Sequence, residues 1–292
     1  MPRIALATAR EAQPLDEDLP PLIDAFAGEA VAACWDDPSV DWSRFDLVLL
    51  RSTWDYVPRL PEFLAWCGRV AAQTLLLNPP ALVRWNTDKH YLADLAARDL
   101  ATVPSRFLEP GQHAADDLHA IVAGFHCEEF VVKPAVGAGS KDAQRHCLRQ
   151  MDKAMRHATA LLDAGRSALV QPYLDLVDTH GETALMFFDG AFSHAIRKGP
   201  LLRPDEGPTD KLFAPEQIAA RAPTADESTL ATRVVAAIPG GAPLYARVDL
   251  LRRADGSPCV LELELTEPSL FFNHDQGSAE RYAAAALRRL PR

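Results

Sequence analysis

Residues 245–266 read YARVDLLRRADGSPCVLELELT, and this stretch decides the fold. Asp255-Gly256 is a tight-turn dipeptide between two alternating runs, the mark of an antiparallel hairpin. Side chains alternate faces along a strand, so Arg247 and Asp249 point one way while Val248 and Leu250 point the other. On the returning strand Glu262 and Glu264 share one face, and Leu261, Leu263 and Leu265 share the opposite one. The turn brings the two polar faces together, so that three carboxylates and one guanidinium converge. A solvated outer sheet face alternates in the same manner. Against that alternative, acids crowded on adjacent strands repel unless a cation sits among them. Carboxylate oxygens suit Mg²⁺, which takes one or two of them together with substrate phosphates. The hairpin therefore predicts a magnesium–nucleotide site with Asp249, Glu262 and Glu264 as ligands, and phosphate binders elsewhere in the chain.

Two lysines upstream are candidates. Lys133 closes the apolar strand FVVK (130–133) and is followed by Pro134-Ala135-Val136-Gly137-Ala138-Gly139-Ser140-Lys141. Small residues let the backbone N–H groups around Gly139 and Ser140 approach phosphate oxygens closely. The loop does not match the P-loop pattern, and an ordinary hairpin is its default reading. Asn86-Thr87-Asp88 offers good N-cap chemistry for a helix running through Lys89, Tyr91, Leu92 and Leu95. A solvated helix lysine is the commoner case for Lys89. The weight lies in finding both lysines, the glycine-rich loop and the acidic hairpin in this order.

Around these motifs the chain alternates. Short apolar runs at 3–8, 46–51 and 74–77 enclose helical stretches near 18–28 and 60–72, predicting a small parallel sheet over about residues 1–80. Asn78-Pro79-Pro80 ends it as a turn or linker. Residues 105–170 read strand, helix, strand, strand, helix, strand, with ALVQ (168–171) as the last strand and an amphipathic helix at 151–164. Asp189-Gly190 turns another hairpin. Residues 199–228, rich in Pro, Asp and Glu, are expected to form a long, mobile loop.

Composition restricts the function classes. A chain of 292 residues with 48% hydrophobic and 24% charged residues is an ordinary globular protein, long enough for two or three subdomains. A net charge of −10 argues against nucleic acid as the main partner. No run approaches the ~20 apolar residues of a membrane helix, and the N-terminus reads as a first strand rather than a signal peptide. Cys34, Cys67, Cys127, Cys147 and Cys259 are scattered and never in CxxC spacing, so a reducing, cytoplasmic setting is expected rather than a disulfide framework. The histidines, His90, His113, His119 and His126 among them, show no metal spacing.

Lysine in a helix start, lysine at a strand end before a glycine-rich loop, then R-x-D and E-x-E resembles the ATP-grasp superfamily, in the order of D-alanine–D-alanine ligase and glutathione synthetase. NTDKHYLADLAARDL, VVKPAVGAGSKD, LVQPYLD and LELELTEPSLFF resemble the D-cycloserine synthetase type most closely. The resemblance covers about residues 85–272. It implies a mixed α/β (α+β) ATP-grasp fold: an N-terminal parallel-sheet domain (1–84), a central lid subdomain (85–170) and a C-terminal subdomain with the metal site (171–292), the last two clamping ATP. It also implies that Lys89 and Lys133 contact the α- and β-phosphates. Gln171, Tyr173 and Leu174 would read adenine, Asp178 the ribose. Arg197, helped by Lys198, would meet the γ-phosphate, and Arg247 the tetrahedral intermediate. The family's second metal strand usually reads E-x-N; Glu264 stands at the Asn position and keeps an oxygen donor.

By the same resemblance, a substrate carboxylate attacks ATP to give an acyl phosphate, and a nitrogen nucleophile displaces phosphate. The implied cofactors are ATP and Mg²⁺, with Mn²⁺ as a substitute; the partner is a small-molecule carboxylate, with no nucleic acid and no membrane, and a homodimer as an open option. For substrate, Arg51 is a candidate to hold a carboxylate and Asp55 an amino group, since they follow a parallel strand at its carboxyl end. A structural loop around a buried Trp54 is the equal alternative. Ser269, past the metal strand, is a further candidate. The implied activity is an ATP-dependent C–N ligase on a small amino-acid-like carboxylate, with an intramolecular cyclo-ligase, as D-cycloserine synthetase is on O-ureido-D-serine, as a form nested within it. Its alternatives are an intermolecular carboxylate–amine ligase and a non-catalytic ATP-binding module.

Overall fold

The computed structural model describes residues 2–111, 114–203 and 217–291, with side chains omitted at 114–116. In the N-terminal unit, β1 (Ile4–Thr8), β2 (Ala30–Cys34), β3 (Leu47–Leu50) and β4 (Leu75–Leu77) form a parallel sheet in the order β2-β1-β3-β4. Residues of β1 and β3 are buried throughout, as strands covered on both faces must be. Helices α1 (Leu19–Ala25) and α2 (Leu60–Ala71) connect them. Strand β2, AVAAC, is too alanine-rich to stand out as an apolar run and is absent from the expectations above.

Pro79-Pro80 does not simply end this unit. Pro80 opens α3 (Pro80–Asn86), where a proline at the first turn loses no hydrogen bond. Asn86 thus closes a short helix instead of capping a new one. Helix α4 (Tyr91–Ala96) starts later, and Lys89 lies in the turn between the two. That turn is pinned to the glycine-rich loop, with Lys89 N donating to Ala135 O at 2.9 Å.

The second sheet is antiparallel, ordered β5-β8-β6-β7: β5 (Arg106–Leu108), β6 (Glu129–Pro134), β7 (Gln144–Cys147) and β8 (Ala168–Pro172). Helices α5 (Ala114–Phe125) and α6 (Met151–Asp163) cover it. Within this layer His146 is buried beside His157, their ring nitrogens 3.2 Å apart, and His157 Nε2 donates to the Asp142 carbonyl at 3.1 Å. A carbonyl only accepts, so His157 is protonated on Nε2 and His146 donates to its Nδ1.

After the short α7 (Val177–His180) comes the third sheet, β11-β10-β9-β12-β13, also antiparallel. Its strands are β9 (Glu182–Phe188), β10 (Ala191–Lys198), β11 (Ile218–Ala220), β12 (Tyr245–Arg252) and β13 (Pro258–Glu264), with α8 (Ala225–Ala236) between β11 and β12 and α9 (Ser278–Arg288) at the end. The expected loop at 199–228 is shortened, because β11 pairs with β10 and α8 begins at Ala225 behind a Thr224–Glu227 capping box. Residues 204–216 of that loop, and His113, lie outside the described residues.

Strand β13 is an edge, and an edge carries unpaired backbone groups. Residues 78–103 satisfy them. Asn86 Nδ2 donates to Leu263 O and Leu265 N donates to Asn86 Oδ1, both at 2.7 Å. Leu263 N donates to the Tyr91 hydroxyl at 2.9 Å. Val260 N donates to Ala101 O at 2.8 Å and its carbonyl accepts from Val103 N at 2.9 Å. Asn78, wholly buried, donates to Tyr245 O at 3.0 Å and Leu265 O at 2.8 Å while accepting from Leu244 N at 2.7 Å. One apolar core runs from Ile4, Leu6 and Leu49 through Met186 and Tyr245 to Tyr282, joining the first sheet to the third.

Each buried backbone group left without a partner costs about 1–3 kcal/mol. Asn78→Ala strips three such groups, so a loss of several kcal/mol and a lower urea midpoint are expected; wild-type stability would mean that the joint is not held through this amide. Burial, then His157, pushes the His146 ring down to about 4 from 6.5. The unfolded chain then binds more protons below pH 6.5, and stability is lost as pH falls from 6.5 toward 4. The urea midpoint of His146→Gln should drop less between pH 7 and pH 5 than that of wild type.

Candidate active site

A cavity of about 410 Å³ opens between the three sheets. The β12–β13 register sets its floor: Arg247 lies opposite Glu264 and Asp249 opposite Glu262, and all four side chains line the cavity. The acids do not face one another bare. Lys198 Nζ lies 2.9 Å from Asp249 and 2.5 Å from Glu182. Arg247 Nη2 reaches Asp249 at 2.8 Å and also pairs with Glu264, and Lys89 Nζ lies 2.9 Å from Glu262. Lys133 lines the same cavity, and Lys89 Nζ also donates to Gly137 O at 3.3 Å.

The electrostatics follow from this alternation. Burial opposes ionisation of Asp249, but Arg247 and Lys198 outweigh it and hold the carboxyl well below its usual range. Burial likewise opposes the Lys198 charge, as does Arg247, yet Asp249 and Glu182 raise its proton affinity. Glu262 is held low against burial by Lys89 and Lys133. Glu264 is pushed up by burial and by Asp249 and Glu262, despite Arg247. Among the described residues no carboxylate forms an ion pair with Lys133, and burial lowers its proton affinity.

Gly181 makes part of this possible. Its φ is +72°, and a Cβ there would sit 2.3 Å from the Lys198 carbonyl, so only glycine admits the approach that sets Glu182 beside Lys198. Gly139 and Ser140 line the cavity, and the buried Ser140 Oγ makes no hydrogen bond within the protein. Gln171, Tyr173 and Leu174 form another wall.

Other candidates lie elsewhere. Arg197 and Lys198 are neighbours on β10 and point to opposite sides: Lys198 faces the cavity, whereas Arg197 donates to the His180 and Thr179 carbonyls at 2.5 and 3.0 Å, outside it. Asp178 is engaged by Arg145 at 3.2 Å and by the Tyr173 hydroxyl at 2.6 Å and does not line the cavity. Arg51 is wholly buried, 3.2 Å from Asp18 and 3.9 Å from Asp16, so it buttresses the loop after β1 instead of meeting a ligand. Asp55 accepts from Trp35 Nε1 at 2.7 Å and Arg59 at 2.5 Å, again outside the cavity. Ser269 does line it, and its carbonyl accepts from Arg247 at 3.0 Å.

Several cavity residues escape the sequence motifs. Glu182 is one; Trp54, Tyr56 and Glu267 form another group. Trp54 Nε1 donates to the Glu267 carbonyl at 2.9 Å, and Tyr56 lines the cavity beside Glu267. Burial and then Glu264 raise Glu267 to about 8. The only available signal was Trp54-Asp55-Tyr56 at the carboxyl end of β3, which names the loop but not its partner.

The chain is similar to known proteins. The family described as D-cycloserine synthetase DcsG, N-terminal domain, matches residues 4–78. The chain is 43% identical over 298 residues to the cycloserine biosynthesis protein DcsG of Streptomyces lavendulae, covering 98% of each. It superposes on the crystal structure of D-cycloserine synthetase DcsG with a TM-score of 0.91 at 42% identity, over 99% of both chains. The ATP-grasp ligase PsnB, solved with a phosphomimetic precursor variant, Mg and ADP, shares the fold at 17% identity, with a TM-score of 0.65 over 99% of this chain and 98% of that one. No helix among the described residues is long and apolar enough to cross a membrane. The chain is an enzyme of the C–N bond-forming kind and belongs to the D-cycloserine synthetase family of ATP-grasp ligases.

Proposed function

We propose that this protein is an ATP- and Mg²⁺-dependent cyclo-ligase: it activates the carboxylate of a small amino-acid-like molecule as an acyl phosphate and closes a C–N bond within that molecule. One observation carries the reading. Lys89, Lys133, Lys198 and Arg247 meet Asp249, Glu262 and Glu264 in a single cavity, in a chain 43% identical to a cycloserine biosynthesis protein.

Among the described residues no three His, Cys, Asp or Glu are gathered so as to hold a metal ion by themselves. Mg²⁺ does not require that, since one or two carboxylates plus phosphate oxygens suffice. Asp249 and Glu262 are cross-strand partners on the cavity face and fit the role, with Glu264 next to them. When bound, Mg²⁺ would neutralise and orient the transferring phosphoryl group, and Mn²⁺ suits the same oxygens. The lysines and Arg247 that now neutralise these acids would turn to the phosphates.

The chain's own groups then divide the work. Lys89 and Lys133 take the α- and β-phosphates, assisted by the backbone around Gly139 and Ser140. The segment Gln171–Leu174 receives adenine. Lys198, in place of Arg197, neutralises the γ-phosphate as the substrate carboxylate attacks phosphorus and ADP leaves. Arg247 supports the oxyanion as the nitrogen adds to the acyl carbon and phosphate departs. The five cysteines are free, which suits a reducing cytoplasm.

Phosphate release with Mg-ATP, measured across amino acids, dipeptides and O-ureido-D-serine, tests the activity. Turnover on O-ureido-D-serine alone is expected; a need for two co-substrates would assign intermolecular ligation, and silence with ATP still bound would leave only a binding module. Lys198→Ala should lose about 10²–10³ in kcat, whereas Arg197→Ala should stay close to wild type; the reverse ranking would return the γ-phosphate to Arg197. Glu262→Gln should abolish ATP turnover. Asp249→Ala should also destabilise the protein, because it leaves the buried cations Lys198 and Arg247 with one carboxylate each, Glu182 and Glu264.

A further inference from the structure

Joining a nitrogen to an acyl phosphate requires a proton to leave that nitrogen, and the phosphate-binding groups are poorly placed to take it. Lys89, Lys198 and Arg247 are cations paired with carboxylates. Asp249 is enclosed by two of those cations, Glu262 is bound by Lys89, and Glu264 by Arg247. Asp18 is consumed by the backbone N–H groups of Leu270, Phe271 and Phe272.

Glu267 is differently placed. It follows β13 and lines the cavity on the side of the N-terminal unit. Trp54 fixes its main chain, and the Tyr56 hydroxyl is a neutral neighbour lining the same wall. No lysine or arginine forms an ion pair with it among the described residues. A carboxylate without a cationic partner keeps acceptor capacity on its oxygens. Glu267 stands three residues past Glu264, beyond the end of the strand whose acids line the cavity where the phosphoryl group would be transferred.

We propose that Glu267 is the general base of the ligation step, with Tyr56 as its positioning residue. The inference rests on the acyl-phosphate reading above. The nitrogen lone pair forms the N–C bond, the C–O bond to phosphate breaks with its electron pair leaving on phosphate, and the N–H proton passes to the Glu267 carboxylate. No outside oxidant or reductant is involved.

The test separates the two half-reactions. With O-ureido-D-serine and Mg-ATP, hydroxylamine traps the acyl phosphate as a hydroxamate and, as a reactive neutral amine, bypasses the base. For Glu267→Gln the hydroxamate should form at the wild-type rate while cyclised product falls by about 10²–10⁴. Tyr56→Phe should lower cyclisation several-fold and leave hydroxamate formation unchanged, with Glu267→Asp recovering part of the activity that Gln loses. Retention of both reactions in Glu267→Gln would overturn the assignment. So would a parallel loss of both at unchanged thermal stability, which would put Glu267 in phosphoryl transfer, or the split pattern appearing in His274→Gln, the histidine that lines this cavity, instead. Absence of hydroxamate with the wild-type enzyme would sink the acyl-phosphate reading itself, an outcome distinct from any of these.

Discussion

The protein is organised around charges that cannot be left unpaired in its interior. Glu182, Lys198, Asp249, Arg247 and Glu264 alternate in sign across β9, β10, β12 and β13, and Lys89 with Glu262 continues the series toward the glycine-rich loop. Removing one member takes a partner from each neighbouring buried charge. The network therefore constrains strand register as well as chemistry. A slip of one residue on β13 would bring Leu263 to the polar face and send Glu262 and Glu264 into the apolar layer.

That network is an interior only because the N-terminal unit closes over it. Asn78 and Asn86 terminate the edge of β13, and Asp18 receives the backbone donors at 270–272. Tyr245 reaches back to the Leu50 and Thr266 carbonyls at 3.3 and 2.8 Å. These are backbone groups satisfied by distant side chains. They fix where the loop carrying Trp54 and Tyr56 meets the end of β13, and so the wall of the cavity that the proposed nucleophile would face.

Much of this was legible in the residues. Period-two alternation around Asp255-Gly256 gave the hairpin, its polar face and the need for cations among its acids; the structure supplies Lys89, Lys198 and Arg247 as those cations. Where the reading failed, the reason is physical. Lys89 was given to a helix because Asn86 has capping chemistry, but the same amide is used across 177 residues by Leu263. Arg197 and Lys198 are adjacent, and only strand pairing decides which one faces inward. Arg51 looked like a substrate clamp because its buried partners Asp16 and Asp18 lie in a loop with no motif. Glu182 and Glu267 acquire their surroundings from contacts far away in the chain, and periodicity carries no information about those.

The side-chain seal on β13 also orders events in time. Asn78 meets its acceptor at Leu265 across 187 residues, Trp54 its carbonyl at Glu267 across 213, and Asp18 its donor at Phe272 across 254. Contacts this distant are the slow ones to form. During synthesis the residues of the parallel sheet are made long before those of β13, so Asn78, Asn86 and Asp18 have no partners there until the last strand exists. The last strand and the segment after it are then what supply the partners that enclose these charges.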